Sequence, residues 1–368
     1  MRLGTTEFWN TICMSNICIL NGDMSRGGGT ERMTQILANL LAESPEYHVT
    51  VLSLNNEAGK TFFPLDKRVK NSSLSAGNLI HKIRSLYTFT KINHIDVLIN
   101  VDIMLGIFSF PVAVLNRHLK VVSWEMFNIR NDIGSRHTKM IRQISLMLSS
   151  YYVCLTQADM QAFCSEMWVK CPITYIYNPI CFDSNYKEYS TESKIIMTAG
   201  HFFYTKGFDL AVETAKYVFE KHPDWKWVFY GDGEEMENVK KMVSKYGLTE
   251  NICFCGRTND ILSAYKEGSM YVMTSRTEGF GLVLTEAKSC NLPTLAFDVE
   301  FGPGEIIQDG VSGYLVEPFD CKAMAEKICC LIENPDIRKD FSNHAKDNLD
   351  RFSMENFIHA WESVIASL

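Results

Sequence analysis

The feature that most restricts this chain is a unit that occurs twice: a short apolar run, a glycine-bearing loop, then apolar residues at helical spacing. The first copy is Ile17-Cys-Ile-Leu20, a loop from Asn21 holding Gly27, Gly28 and Gly29, and Met33, Ile36, Leu37, Leu40 and Leu41. The second is Ile195 to Ala199, a loop from Gly200, and a helical pattern from about Asp209 to His222. Alternation continues around each copy. Val49–Leu54, Val97–Asn100, Leu119–Trp124 and Tyr151–Thr156 read as strands in the front half, with helices near 77–92 and 138–149. Trp227–Tyr230, Ile252–Cys255, Met270–Ser275, Thr294–Asp298 and a weak Gly313–Val316 read as strands in the back half. Helices are expected over 320–332, 335–350 and 354–368. Such alternation predicts an α/β protein with largely parallel sheets, and 368 residues exceed what one core usually spans.

The division follows from local signals. Asn178-Pro179-Ile180 closes the front half, and the polar stretch Asp183 to Lys194 reads as a linker. The expected parts are a loose tail over 1–13, a front domain over 14–182 and a back domain over 183–353. The last helix, 354–368, carries Phe357, Trp361, Val364 and Ile365 on one face. Met1 to Cys13 lacks the basic-then-apolar order of a signal peptide, and Met14 reads as an alternative start. The longest apolar run, Ile103 to Leu115, contains Gly106 and Pro111 and is too short to cross a membrane. It is expected to be a buried or surface-dipping element.

Composition narrows the partners. A net charge of −7 argues against nucleic acid as the main partner. The basic residues are in excess in the front half and the acidic ones in the back half, which suits an anionic membrane surface or lipid phosphate at the front. Twelve cysteines include no CxxC pair and no neighbouring histidine cluster, so they read as reduced core residues of a cytoplasmic protein.

The chemistry concentrates at Glu278-Gly-Phe-Gly-Leu-Val-Leu-Thr-Glu286, a strand-to-helix turn with a carboxylate at each end. Gly279 and Gly281 leave backbone N–H groups uncovered at a helix start, which suits a phosphate. Glu286 lies about one turn into the helix, and its side chain tilts back toward that end. A carboxylate there suits sugar hydroxyls; a cap and a solvated first-turn charge give the same letters. Gly27, Gly28 and Gly29, flanked by Arg26 and Arg32, form a second loop fit for an anion. They do not spell GxGxxG, so NAD and FAD are disfavoured. Glu125 and Asn128 follow a strand end and are candidate cleft residues, while Thr156 and Asp159 read as a helix cap and its first turn.

In this order the motifs resemble the retaining, nucleotide-sugar-dependent glycosyltransferases of family 4, of bacterial surface-polysaccharide type. The resemblance runs from about Met14 onward. Its most specific part is the Glu278–Glu286 spacing; Gly27-Gly-Gly-Thr-Glu-Arg32, Asn178-Pro-Ile, Lys206-Gly-Phe-Asp, Gly231-Asp-Gly, Phe254-Cys-Gly256 and Gly302-Pro-Gly-Glu305 support it. It implies the GT-B fold, two Rossmann-like domains with mainly parallel sheets facing across a cleft, the last helix packing back on the front domain. It implies Glu286 on the donor ribose, and Glu278 with the backbone of Gly279, Phe280, Gly281 and Leu282 on the donor sugar and diphosphate. Lys206 would neutralise the diphosphate, backbone near Arg257 would receive the base, and Gly231 would line the site. Gly27, Gly28, Gly29 and Arg32 would approach the donor phosphate or acceptor from the other side.

Two positions depart from the family pattern. His201 stands where an arginine is common, with Arg276 or a protonated His201 as the compensating charge, and Met126 stands where a histidine is common, leaving Glu125 as the front-domain catalytic candidate. The implied reaction moves a hexose or N-acetylhexosamine, with retention, from a nucleotide-sugar to a lipid-linked or growing glycan. UDP is the expected nucleotide, with GDP as the alternative. No metal and no cofactor are expected, since no Asp-x-Asp pair marks a metal-held diphosphate. Peripheral contact with the inner face of the plasma membrane is implied. A GT-B epimerase or phosphorylase, or a non-catalytic nucleotide-sugar-binding subunit, are the competing readings.

Overall fold

The computed structural model describes residues 14–56, 59–131, 137–181, 189–258 and 260–368. The tail expected over 1–13 and the junction expected at 182 and 183 lie outside the described residues. The front part runs β1 (Ser15–Asn21), α1 (Gly29–Leu41), β2 (Tyr47–Ser53), β3 (Lys70–Ser73), α2 (Leu79–Ile92), β4 (Val97–Val101) and α3 (Gly106–Leu115). It continues with β5 (Lys120–Trp124), α4 (Thr138–Leu148), β6 (Tyr151–Cys154), α5 (Gln157–Glu166) and β7 (Ile173–Tyr175). The back part begins with β8 (Ile195–Ala199), α6 (Phe208–Lys221), β9 (Lys226–Tyr230), α7 (Met236–Lys245), β10 (Ile252–Gly256), α8 (Ile261–Glu267) and β11 (Met270–Met273). It ends with α9 (Leu282–Ser289), β12 (Thr294–Phe297), α10 (Pro303–Ile306), β13 (Gly313–Val316), α11 (Cys321–Glu333), α12 (Pro335–Asn343) and α13 (Met354–Ala366).

The two sheets are parallel throughout. One has the order β3-β2-β1-β4-β5-β6-β7 and the other β10-β9-β8-β11-β12-β13. Ile17 pairs with Val49 on one side and Val97 on the other, which makes β1 a central strand. Ile17, Cys18, Ile19 and Leu20 are fully buried, as expected of a strand covered on both faces by crossover helices. In each sheet the winding direction reverses once, between β1 and β4 and between β8 and β11. The crevice beyond the strand ends at such a reversal is where α/β sheets take ligands. The loops after β1, β8 and β11 all open there, and they are the loops with the glycine motifs.

Sequence patterning missed the two edge strands of the front sheet. β3 is Lys-Asn-Ser-Ser, polar and part-exposed, and β7 has only three residues, so neither shows a buried strand's apolar run. The helix expected over 335–350 stops at Asn343, and a 3-10 turn follows at Leu349–Phe352. The loop at Gly302 contains a one-turn helix, α10, with Pro303 in its first turn. The apolar run from Ile103 is a 3-10 turn leading into α3, with Pro111 inside that helix. α13 returns to the front sheet: the Trp361 ring meets Trp124 of β5 edge-on at 4.8 Å, and Phe357 lies 6.1 Å from the same indole.

Candidate active site

The site grows from the end of β11. Thr274 and Ser275 carry the chain past the sheet into the Glu278 turn. Ser275 Oγ donates to Glu278 Oε1 at 2.6 Å, and Lys206 Nζ reaches both carboxylate oxygens, at 2.7 and 2.9 Å. Lys206 is placed by the next residue. Gly207 has φ of 63°, and a Cβ there would lie 2.0 Å from Thr274 O, so only glycine lets this turn sit on the β11 end. The 206–207 turn and the 274–278 turn are thereby built as one piece.

Gly281 then starts α9, and no side chain caps that helix. Its first N–H groups and its dipole present partial positive charge toward the cleft. Glu286, one turn in, is buried. Its carboxylate accepts from Arg32 Nη1 at 2.9 Å and from the Tyr265 hydroxyl at 3.2 Å. Burial pushes the Glu286 carboxyl above its ordinary value, while Arg32 and the Tyr265 bond pull it back. Arg32 comes from α1, so the pair crosses the cleft. Gly28 caps α1, and a Cβ on Gly29 would lie 3.9 Å from Leu282 Cδ1; Gly27 faces the Phe62 ring. The two helix starts thus oppose each other, one glycine loop on each.

The front wall also contains the segment after β5. Asn128 Nδ2 donates to Glu278 O at 2.7 Å and to Thr277 Oγ1 at 2.9 Å. A Cβ on Gly279 would approach Met126 O to 3.1 Å, so the front segment packs closely on the Glu278 turn. Phe280 is buried against Tyr177 and Phe352, at 5.8 and 5.4 Å between ring centres, so only its backbone belongs to the site.

Gly231, His201, Asp232 and Arg257 gather at the ends of β8, β9 and β10. Arg257 Nε donates to Asp232 Oδ1 at 2.9 Å, and His201 Nδ1 stands 3.9 Å from the same oxygen. Partial burial lowers the His201 imidazole below its usual value, and Arg257 and Lys206 lower it further against the opposing Asp232. The surroundings of His201 thus favour the uncharged imidazole.

Two expected placements are corrected. Glu125 does not face the cleft: it is fully buried, with Arg142 Nε at 2.8 Å, the Tyr152 hydroxyl at 3.1 Å and Phe127 N at 3.2 Å. It is a positioning residue for the 125–130 segment. Arg276 does not stand in for an arginine at 201. It pairs with both Asp209 oxygens, at 2.8 and 2.6 Å, and lies 3.9 Å over the Tyr204 ring. Thr156 accepts from Asp159 N as the cap of α5, while the buried Asp159 carboxylate also accepts from Ile129 N.

Sequence reading missed Tyr265, Arg142 and the reach of Glu305. The Glu305 carboxylate accepts from Gln157 N at 3.1 Å, Ala158 N at 2.9 Å and the Tyr177 hydroxyl at 2.6 Å, capping α5 from the opposite sheet's side. Only the acidic letter in the Gly302-Pro-Gly-Glu305 motif pointed to it. Among the described residues no group of three or more His, Cys, Asp or Glu side chains is placed to hold a metal.

Two wound parallel sheets with their reversal points facing one cleft define the GT-B fold. A variant of S. aureus TarM, in complex with Fondaparinux, alpha-GlcNAc-glycerol and UDP, superposes with a TM-score of 0.81 over 95% of this chain and 99% of that one, at 16% identity. Residues 183–348 match the family model described as glycosyl transferases group 1. An uncharacterised glycosyltransferase of Haemophilus influenzae is 28% identical over 353 residues, 93% of this chain and 98% of that protein. The amylovoran biosynthesis glycosyltransferase AmsD of Erwinia amylovora is 26% identical over 96% of this chain and its own full length. The chain has the fold of the GT-B glycosyltransferases, and its back half is similar to the glycosyl transferases of group 1.

Proposed function

We propose that this protein transfers a hexose or N-acetylhexosamine from a UDP-linked donor to a lipid-linked or growing glycan of a bacterial surface polysaccharide. Transfer proceeds with retention and without a metal. The observation that carries the donor site is the buried Glu286 carboxylate one turn inside the uncapped α9, beside the Lys206–Glu278 pair. UDP in the TarM complex supports the nucleotide, and AmsD's part in amylovoran biosynthesis supports the glycan product.

In this reading the ribose hydroxyls donate to Glu286 and exchange with Arg32, which turns toward the diphosphate. The α9 N–H groups and Lys206 stabilise the charge that develops on the leaving diphosphate, charge that is larger in the transition state than in the bound donor. Glu278 accepts from the transferred sugar, and the backbone by Arg257 meets the base. A diphosphate oxygen takes the acceptor's proton as the new glycosidic bond forms on the face the leaving group departs from.

The test is a thermal-shift panel of nucleoside diphosphates on the full chain. UDP is expected to raise Tm by several degrees, since ligand at about 100 times Kd adds about 2.7 kcal/mol. Glu286→Gln is expected to abolish the shift. If no nucleotide stabilises the protein, the donor site is wrongly assigned; if UDP binds yet no donor sugar is transferred or hydrolysed, the protein is a binding subunit.

His201 adds a pH dependence. As pH falls through its lowered pKa, it gains a positive charge beside the diphosphate position, so the donor KM is expected to fall on the acid side. His201→Arg is expected to lower the donor KM about 3- to 10-fold at pH 7 and to remove that dependence, a charge-assisted contact being worth about 1 kcal/mol. A KM that stays unchanged in the variant places His201 away from the diphosphate.

A further inference from the structure

The two oxygens of the Glu286 carboxylate have different partners. Oε1 accepts from Arg32 Nη1 at 2.9 Å, which arrives from α1 across the cleft. Oε2 accepts from the Tyr265 hydroxyl at 3.2 Å, which arrives from α8 in the same half of the chain. The Arg32 side chain keeps 24% of its exposure, whereas Tyr265 is fully buried. Oε1 is therefore the oxygen on the cleft side and Oε2 the inner one.

The local fold seats Tyr265 for this bond. α8 is short; Asp260 caps it, accepting from Ser263 N at 3.0 Å, and Ala264 and Tyr265 are the residues it buries. The Tyr265 ring meets Tyr271 of β11 edge-on, 5.8 Å between centres. The Tyr271 hydroxyl is engaged at the end of β8, donating to Ala199 O at 2.9 Å and accepting from Ala199 N at 3.2 Å. The two buried tyrosines thus differ in use: one ties two strands together, the other holds a carboxylate. A phenylalanine at 265 would fill the same space as the tyrosine ring. What the hydroxyl adds is the bond to Glu286, and a buried hydroxyl left without a bond is disfavoured. The glutamate side chain is itself flexible, and α9 fixes only its root. When Oε1 exchanges Arg32 for ribose, the bond of Oε2 to Tyr265 is the contact that stays.

We propose that Tyr265 is a positioning residue for the donor nucleoside: its hydroxyl holds Glu286 Oε2, keeps Oε1 aimed at a ribose hydroxyl, and thereby sets a preference for ribose over deoxyribose. This role rests on the assignment of Glu286 to the ribose. Tyr265 does not touch the nucleotide. It limits where the carboxylate can go and, as a donor, opposes the upward push of burial on the Glu286 carboxyl, so that the group stays an acceptor. Discrimination follows from the fixing. A buried acceptor held in place is left unpaired when the hydroxyl it reads is missing, whereas one free to turn finds another partner.

Dissociation constants of UDP, 2′-deoxy-UDP and 3′-deoxy-UDP are measured by titration calorimetry on the full chain, as wild type and as Tyr265→Phe. The wild type is expected to bind UDP at least about tenfold more tightly than one of the two deoxy forms. Tyr265→Phe is expected to weaken UDP about tenfold and that deoxy form no more than about twofold, so the preference shrinks about fivefold or more. The substitution removes one oxygen and no ring atom, and a melting temperature within a few degrees of wild type checks the fold. Both constants come from the same folded variant, so a general loosening of the domain cancels in their ratio. A wild type that distinguishes ribose, with the same ratio in Tyr265→Phe, overturns the role of Tyr265 and leaves the donor site standing; an equal loss for all three nucleotides does the same, since a merely structural tyrosine would give it. A wild type that binds UDP and both deoxy forms alike removes the ribose from Glu286, and one that binds no uridine nucleotide removes the donor site itself. In both of those cases Tyr265 loses this role as well.

Discussion

Replacing Lys206 by alanine is expected to lower kcat about 10²- to 10³-fold, the usual cost of removing one donor aimed at a developing anion. Lys206 Nζ contacts both Glu278 oxygens, at 2.7 and 2.9 Å, and its side chain keeps 32% of its exposure, so it is held yet reachable from the cleft. The Glu278 side chain is 6% exposed. Without the ammonium it retains Ser275 as a donor but carries an uncompensated negative charge beside the position proposed for the diphosphate. The variant thus loses a stabilising charge and gains a repelling one. The stability change should be small by comparison, on the order of 1 kcal/mol, because the lysine is a third exposed. Lys206→Arg separates charge from shape: its guanidinium restores the charge but fits Gly207's turn differently, so partial recovery is expected. Initial rates at saturating donor and acceptor, with a melting curve of each variant, decide the matter. A loss under fivefold in kcat would remove Lys206 from the reaction, and a collapsed melting temperature would make the loss a folding effect.

How much of this was legible beforehand depended on whether a feature is local in sequence. The Glu278–Glu286 turn was readable because strand, glycines, helix start and both carboxylates lie within one segment. So was the helix face of Phe357 and Trp361, whose partner Trp124 the alternation could not name but the resemblance placed in the front domain. The Arg32–Glu286 pair is separated by 254 residues, and no periodicity announces it. Glu125 shows the limit clearly. Its place at a strand end suggested the cleft, since strand ends face it, but the carboxylate turns inward because Arg142, on the next helix, supplies a buried cation. Arg142 looked like one more basic residue of α4; only its burial reveals it. The apolar run at Ile103 was ambiguous between buried and surface-seeking, and α3 is both: Phe110 faces inward and Val114 outward.

Arg142 carries the second large effect. Its Nε bonds Glu125 at 2.8 Å, its Nη1 bonds Ile129 O at 3.0 Å and its Nη2 bonds Asn128 O at 2.6 Å, with about 1% of the side chain exposed. Arg142→Met leaves a buried carboxylate without its cation and is expected to cost about 3–5 kcal/mol in unfolding. Pairing it with Glu125→Gln should recover part of that loss, because the stranded charge is then gone. The same guanidinium fixes the carbonyls around Asn128, whose amide holds Glu278 O and Thr277 across the cleft. Arg142→Met is therefore expected to raise the donor KM several-fold even in the folded fraction, and Asn128→Ala to do so with a smaller loss of stability, about 1–3 kcal/mol for its buried hydrogen bonds. A third readout is pH. Burial first, and Glu125 next, push the nearby Asp159 carboxyl from 3.8 to about 8, and Arg142 opposes them. A carboxyl raised in the folded state adds stability that is complete below about pH 4 and lost as pH rises through about 8. Without Arg142 the pKa rises further, so the loss extends to higher pH in Arg142→Met; it disappears in Asp159→Asn, whose amide mimics the protonated acid. Urea unfolding from pH 5 to 9 separates these cases. If Arg142→Met unfolds at wild-type urea concentrations with the wild-type pH slope, the buried pair does not organise the front wall, and Asn128 must be held by its own turn alone.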